Sequence, residues 1–321
     1  LDWKRELYDK IEPRLKDDAV LSSNTSGLFL KELAEGFDPK VRRRFLITHF
    51  FNPPRYMRLV EVVPGEETDP DVLQAMVAFT GQVLGKGVVH AKDTPNFIAN
   101  RIGVYGMMLA LRLTEQMGLT VEQVDAISGP VMGRPKSATY RTADLVGLDT
   151  LALVAGTSYD KCEADEDREL FKAPPVLERL LESQRLGQKS GAGFYKKEGK
   201  QILALDFRSM EYRPQRKARM DGIGVARRFT DVGRKIHALV HNPDVAGEFA
   251  WELTIGTLAY AAQRVGEIAD DVVNVDRAMK WGFGWQLGPF ETWDAIGVEK
   301  SAQRMESEGK TVPALVRALL D

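Results

Sequence analysis

Two stretches of the chain read as copies of one unit, and this repeat limits the possible folds more than any other feature. The first copy runs from Leu113-Thr114-Glu115 through Asp125-Ala126 and Met132-Gly133-Arg134-Pro135 to Asp144-Leu145-Val146-Gly147-Leu148-Asp149. The second runs from Glu267 through Asp276-Arg277-Ala278 and Leu287-Gly288-Pro289 to Asp294-Ala295-Ile296-Gly297-Val298-Glu299. Asp125 and Asp276 lie 151 positions apart and Asp144 and Asp294 lie 150 apart, so the spacing drifts by a single residue. Two copies do not make a solenoid. They make a duplicated helical domain whose like halves bury matching apolar faces against each other, a role a second subunit fills for a single unit.

Composition removes several function classes. The 321 residues carry 44 Lys plus Arg against 46 Asp plus Glu, a net charge of −2, which argues against a binder dominated by nucleic-acid phosphates. One cysteine, Cys162, excludes an internal disulfide framework and an all-cysteine metal site. The longest charge-free run, 72–85, is too short to span a bilayer and is interrupted by Gln74, Thr80 and Gln82. No basic segment followed by an apolar one marks a signal peptide, and the expected location is cytoplasmic. The text starts at Leu1 within a helical pattern, so the chain reads as a piece of a longer protein.

Before the repeat the pattern is mixed α/β. Ala19-Val20-Leu21, Phe45-Leu46-Ile47, Leu59-Val60-Glu61-Val62-Val63 and Gly87-Val88-Val89-His90 are short, apolar and bounded by turn residues, as buried strands are. Asp69-Pro70 opens a helix that Gly85 closes. From Asp93 the period changes: Asp93-Thr94-Pro95 is expected to open a long helix with Ile98, Ile102, Tyr105, Leu109, Leu113 and Met117 as its apolar stripe. Thr120-Val121-Glu122-Gln123 begins the next one as a capping box. The expected organisation is an α/β domain over 1–92, a first helical domain over 93–200, a basic linker over 201–235 and a second helical repeat over 236–321. Within the linker the arginines and lysine of 208–219 suit a surface crossing, or else a strip that contacts an anionic ligand.

Three Gly-x-Gly strings, at 191–193, 222–224 and 282–284, do not follow a strand and open a helix as a dinucleotide fingerprint must, and read as turns. Metal ligation finds no support. His237 and His241 share a helix face without an acidic partner, and His90 reads as structural. His49 is different. It ends a strand, and Glu61 sits twelve residues on, in the next strand, between Val60 and Val62. A carboxylate inside an apolar strand must be paired, and an imidazole at a strand end is its natural partner. A catalytic pair and a satisfied buried pair both fit. Asn24 and Ser26 are ordinary turn residues or site residues, and Asn100 is a helix-surface amide or a ligand contact, according to whether they approach His49.

Taken in order, Ser23-Asn24-Thr25-Ser26, His49-Phe50-Phe51-Asn52-Pro53, Leu59-Val60-Glu61-Val62, Lys92-Asp93-Thr94-Pro95, Asn100-Arg101 and Gly187-Gln188-Lys189-Ser190-Gly191-Ala192-Gly193-Phe194-Tyr195 closely resemble the L-3-hydroxyacyl-CoA dehydrogenase family over 1–196. The repeat at 236–300 resembles the second C-terminal domain of larger bacterial members, including those fused to an enoyl-CoA hydratase. The resemblance implies the later part of a Rossmann NAD-binding domain, followed by two repeated helical domains. It implies NAD as cofactor and an acyl-CoA as substrate, in fatty-acid β-oxidation or the turnover of another 3-hydroxyacyl thioester. It implies His49 as general base, Glu61 as its orienting carboxylate, Ser26 as a hydroxyl contacting substrate and cofactor, and Asn100 as an amide near the substrate carbonyl. Lys4 and Lys189 match positions that contact NAD. The family's glycine-rich strand–loop–helix and its ribose-binding acid would precede Leu1, so the 321 residues by themselves are expected to bind NAD weakly, and a non-catalytic helical scaffold is the alternative. Either a monomer completed by the internal repeat or a homodimer is compatible with the pattern. In the first copy Met132-Gly133-Arg134-Pro135-Lys136 departs from the family's Gly-Pro-Phe form, which the second copy keeps at Gly288-Pro289-Phe290.

Overall fold

The computed structural model describes residues 1–321, which form two compact units: 1–101 with 264–282, and 102–263 with 283–321. In chain order the first part holds α1 (Asp2–Ile11), β1 (Leu21–Ser23), α2 (Leu30–Ala34), α3 (Pro39–Arg42), β2 (Phe45–Phe50), β3 (Leu59–Pro64), α4 (Pro70–Ala78) and β4 (Gly87–His90). Then follow α5 (Ala99–Gln116), α6 (Val121–Ile127), α7 (Tyr140–Val146), α8 (Leu148–Lys161) and α9 (Pro175–Glu182). A small sheet of β5 (Tyr195–Glu198), β6 (Gln201–Leu205) and β7 (Tyr212–Pro214) comes next. The remainder is α10 (Asp221–Ala226), α11 (Val232–Val240), α12 (Val245–Arg264), α13 (Val272–Gly282), α14 (Pro289–Ile296), α15 (Val298–Ser307) and α16 (Ala314–Leu320).

The first unit is built on a four-stranded sheet in the order β1-β2-β3-β4. β1 and β2 are parallel, β2 and β3 antiparallel, and β3 and β4 parallel. All four apolar runs contribute strands: β2 and β3 are buried on both faces, while β1 and β4, at the sheet's edges, are buried only in part. Leu46, Val62 and Val72 form one packed face, and Tyr8, Phe37 and Phe45 meet edge to face near another. The first strand lies slightly later than its apolar residues suggest, at Leu21–Ser23.

Residues 264–282 correct the expected domain limits. α13 belongs with the α/β unit, where it packs on β3 and β4. The fit depends on small residues. A Cβ on Gly87 would fall 2.4 Å from the Trp281 ring, and one on Gly282 would fall 2.6 Å from Leu59. Polar ties add to it, with His90 N–H donating to Asn274 Oδ1 (3.1 Å) and Lys92 N–H to the Ile268 carbonyl (3.0 Å).

The long helix also starts later than Asp93. Asn96 and Phe97 take left-handed backbone angles, φ +66° and +50°, which no α-helix continues through. The Asp93 carboxylate instead accepts from Leu30 N–H (2.7 Å) and Lys31 N–H (3.3 Å), capping α2.

The second unit is mostly helical around one core that draws on both copies of the repeat, from Met108 and Leu148 to Trp293, Ile296 and Met305. The copies echo each other in backbone conformation. Gly147 and Gly297 join α7 to α8 and α14 to α15 at φ +98° and +92°, a region that excludes a Cβ at little cost only for glycine. The expected linker at 201–235 is not irregular. It holds β6, β7 and α10, and Ala204 and Leu205 of β6 bury in the helical core. The 222–224 glycines lie inside α10 and not in a turn.

Candidate active site

The β2–β3 register sets His49 directly opposite Glu61. Their side chains meet at Nδ1–Oε2 2.7 Å, with Glu61 0% and the His49 side chain 9% exposed. The other Glu61 oxygen, Oε1, accepts from the backbone N–H groups of Ile98 (3.1 Å) and Ala99 (2.9 Å). These are donors that the start of α5 leaves without intrahelical partners. The carboxylate therefore caps a helix from another strand while holding the imidazole. These three polar partners satisfy the carboxylate despite its complete burial.

The carboxylate fixes the imidazole. With Nδ1–H donated to Glu61, the proton-free nitrogen is Nε2. The Phe51 ring meets His49 edge-on at 4.8 Å between centroids and the Phe97 ring lies tilted at 5.5 Å, so apolar surfaces wall the base. The left-handed turn at Asn96-Phe97 is what presents Phe97. It is tied to the loop after β1 by Asn96 N–H donating to the Ser26 carbonyl (2.9 Å). That loop is tied to β2 by Phe50 N–H donating to Asn24 Oδ1 (2.8 Å).

His49, Glu61, Ser26 and Asn100 thus all belong to the first unit, on segments bonded to one another, Asn100 half-buried in the first turn of α5. Lys4 is in the same unit, its Nζ 3.2 Å from Ser23 Oγ at the end of β1, where Tyr8 Oη also bonds (2.9 Å). Lys189 lies in the second unit and pairs with Asp149 there (2.5 Å). The hydroxyls and ammonium at the carboxyl ends of β1 and β2 suit a hydroxyl- and phosphate-bearing ligand, since open α/β sheets bind ligands outside these ends. None of the Gly-x-Gly strings stands between a strand and a helix to add amides for a pyrophosphate. Four contributors escaped sequence reasoning: the Ile98 and Ala99 amides and the Phe51 and Phe97 rings. The Pro95-Asn96 pair, a helix-breaking signal, was the available clue to the first two.

Other singled-out residues have structural partners in the second unit. Arg213 and the Arg216 N–H both bind the Glu122 carboxylate, so the basic run is partly engaged within the chain. Arg134 stacks on Trp285 at 4.3 Å and Arg141 on Tyr195 at 4.2 Å. His237 and His241 meet edge to face, and His241 lies 3.3 Å from the Ile296 carbonyl. No cluster of three or more His, Cys, Asp and Glu is placed to hold a metal ion, and no helix is long and apolar enough to cross a membrane.

Known proteins resemble this chain in sequence and in fold. Residues 1–94 match the family model described as the NAD binding domain of 3-hydroxyacyl-CoA dehydrogenase, and residues 97–197 match that of its C-terminal domain. A probable 3-hydroxyacyl-CoA dehydrogenase of Bacillus subtilis is 48% identical over 321 residues, all of this chain and 41% of that protein. A putative fatty acid oxidation complex trifunctional enzyme of Rickettsia felis is 33% identical over 297 residues, 91% of this chain and 40% of that protein. The chain thus spans about two fifths of the length of these relatives. The crystal structure of FadB2 from Mycobacterium tuberculosis matches with a TM-score of 0.56 at 35% identity, covering 61% of this chain and 67% of that one. A 3-hydroxybutyryl-CoA dehydrogenase from Escherichia coli shares the fold across 99% of this chain and 78% of its own, with a TM-score of 0.73 at 20% identity. With a buried His–Glu pair at the sheet's carboxyl end, two matched family domains and relatives of this similarity, the chain belongs to the 3-hydroxyacyl-CoA dehydrogenase family.

Proposed function

We propose that this chain supplies the acid–base and substrate-positioning groups of an NAD-dependent dehydrogenase that oxidises (S)-3-hydroxyacyl-CoA to 3-oxoacyl-CoA in fatty-acid β-oxidation. The observation that carries the reading is the His49 ring, bonded on Nδ1 by a fully buried carboxylate and so poised to accept a proton on Nε2. His49 takes the proton of the substrate 3-hydroxyl as C3 gives up a hydride. Glu61 holds the ring tautomer and stabilises the imidazolium that forms. Bound NAD supplies the hydride acceptor. Ser26 is proposed to contact substrate and cofactor, Asn100 to donate to the substrate carbonyl, and Lys4 and Lys189 to hold the cofactor. The joint core of the two repeats favours a monomer over a homodimer, and the cytoplasm is the proposed location.

The test is His49→Gln in the full-length protein, with oxidation of (S)-3-hydroxybutyryl-CoA followed at 340 nm. The rate should fall by roughly 10²–10⁴, the usual worth of a general base, with equilibrium binding of NADH retained. A variant that keeps the wild-type rate would remove the acid–base assignment.

A further inference from the structure

The Met132-Gly133-Arg134-Pro135 turn, where the first copy of the repeat departs from the second, leaves a charge without a counterion. Arg134 is half-buried, with its guanidinium over the Trp285 ring at 4.3 Å. No carboxylate pairs with it, and burial alone pulls it down to about 10, so it keeps its charge at neutral pH. The second copy shows the compensated arrangement: Arg304 lies over Trp251 at 3.9 Å and also binds Glu308 (2.8 Å). The turn that carries Arg134 is pinned. Gln286 N–H donates to the Gly133 carbonyl (2.7 Å), and a Cβ on Gly133 would fall 2.6 Å from Val232. Arg134 borders a small cavity in the second unit, with room for one particle of about water size. Met132, Ile236 and Leu258 give it apolar walls, and Thr254 of α12 lines it too. The Thr254 hydroxyl is buried and has no hydrogen-bond partner. Thr257, three residues on, takes the ordinary helical solution and donates to the Leu253 carbonyl (2.7 Å).

A charge withdrawn from water is costly unless an opposite charge meets it, and the chain offers none at Arg134. The Thr254 hydroxyl is a second donor without an acceptor. One small anion satisfies both, whereas a water molecule accepts from them and leaves the charge uncompensated. We infer that the cavity binds a single halide ion, chloride, between the Arg134 guanidinium and the Thr254 hydroxyl. Its size excludes phosphate, sulfate and carboxylate ligands. The ion ties the turn of the first copy to α12, while Trp285, in the matching turn of the second copy, covers the guanidinium. The site belongs to the second unit and takes no part in the proposed proton transfer, which belongs to the first.

The experiment follows thermal unfolding of the full-length protein in sodium gluconate, whose anion is too large for the cavity, as chloride replaces gluconate at constant ionic strength. The wild-type midpoint should rise with chloride and level off, as binding to a folded-state site requires. Thr254→Val should weaken the apparent chloride affinity roughly 10-fold, the scale of one charge-assisted bond. Arg134→Met keeps the length of the side chain but removes its charge. It should abolish the chloride dependence and unfold in gluconate no earlier than the wild type. A wild type indifferent to chloride would leave only water in the cavity, and an equal response from Arg134→Met would reveal a general salt effect; either result overturns the inference. If a variant does not fold, long-wavelength diffraction from wild-type crystals grown in chloride decides. An anomalous chlorine peak between the Arg134 guanidinium and Thr254 Oγ1 supports the site, and water density without an anomalous signal removes it.

Discussion

Glu61 in the first unit and Asp144 in the second are both buried carboxylates that accept two backbone amides. Glu61 takes Ile98 and Ala99 on one oxygen and His49 on the other. Asp144 takes Phe194 (2.8 Å) on one oxygen and Tyr195 (2.8 Å) on the other, which joins α7 to the start of β5. Asp125 is a third case, accepting from Thr139 and Tyr140 N–H and from Tyr195 Oη. Burial of an acid does not by itself mark a site. Only Glu61 has a partner with a second titratable face, the Nε2 of His49. At the two aspartates the bonds end on groups that have no further chemistry at neutral pH. Glu61 is thus a cap and an orienting group at once, whereas Asp125 and Asp144 act as clasps.

The largest expected effect in this comparison is on stability. Asp144→Asn turns an NH₂ toward a backbone N–H that it cannot accept from, in a site so close-packed that a Cβ on Gly193 would fall 2.0 Å from the carboxylate. Urea unfolding should show a loss of about 2–4 kcal/mol, while the kcat of the protein that remains folded stays at the wild-type value. A fall in kcat without a loss of stability would erase the distinction between clasp and orienting group.

A smaller effect is expected from pH. Burial outweighs the donors around Asp125 and pushes it up to about 7, and Asp144 is pushed up to about 6 by the same cause. A carboxyl raised above its unfolded value holds its proton more tightly in the folded chain. Its contribution to stability is complete below about pH 4 and is lost as pH rises through the folded value. The urea midpoint should therefore decline between pH 5 and 8, and Asp125→Asn should flatten the upper part of the decline. A midpoint that climbs over this range in the wild type would contradict the assignment. The smallest effect belongs to Lys189–Asp149, where both side chains are about half exposed. Asp149→Asn should leave the urea midpoint unchanged, and a clear drop would show that the pair is structural.

The pattern of residues made much of this visible. Apolar runs bounded by turns located the four strands, and a carboxylate inside such a run pointed to His49. The 150-residue offset revealed the repeat, which the matching glycines Gly147 and Gly297 repeat in backbone geometry. What stayed hidden depends on partners distant in sequence. Asp93 looks like the start of the helix that follows it but caps one more than sixty residues earlier. The true start of α5 is capped by Glu61, thirty-seven residues before Ile98. The basic stretch after 200 lacks helical periodicity, yet its strands form because the helical core offers a surface for Ala204 and Leu205. α13 lies within the second copy in sequence but belongs to the α/β unit, because Gly87 and Gly282 let its end approach the strands. Local pattern carries none of these contacts.

The central claim is that Glu61 acts through the tautomer of His49, and Glu61→Gln tests it most directly. The amide oxygen can still accept from Ile98 and Ala99, so α5 keeps its cap. The NH₂ then donates to Nδ1, which moves the ring proton to Nε2 and removes the acceptor that the substrate hydroxyl needs. Steady-state oxidation of (S)-3-hydroxybutyryl-CoA by the full-length variant should show kcat lowered roughly 10²–10⁴-fold with KM for the thioester unchanged. A folded variant whose kcat stays within about twofold of the wild type, a change under about 0.5 kcal/mol in barrier, would contradict the account and leave His49–Glu61 a structural pair.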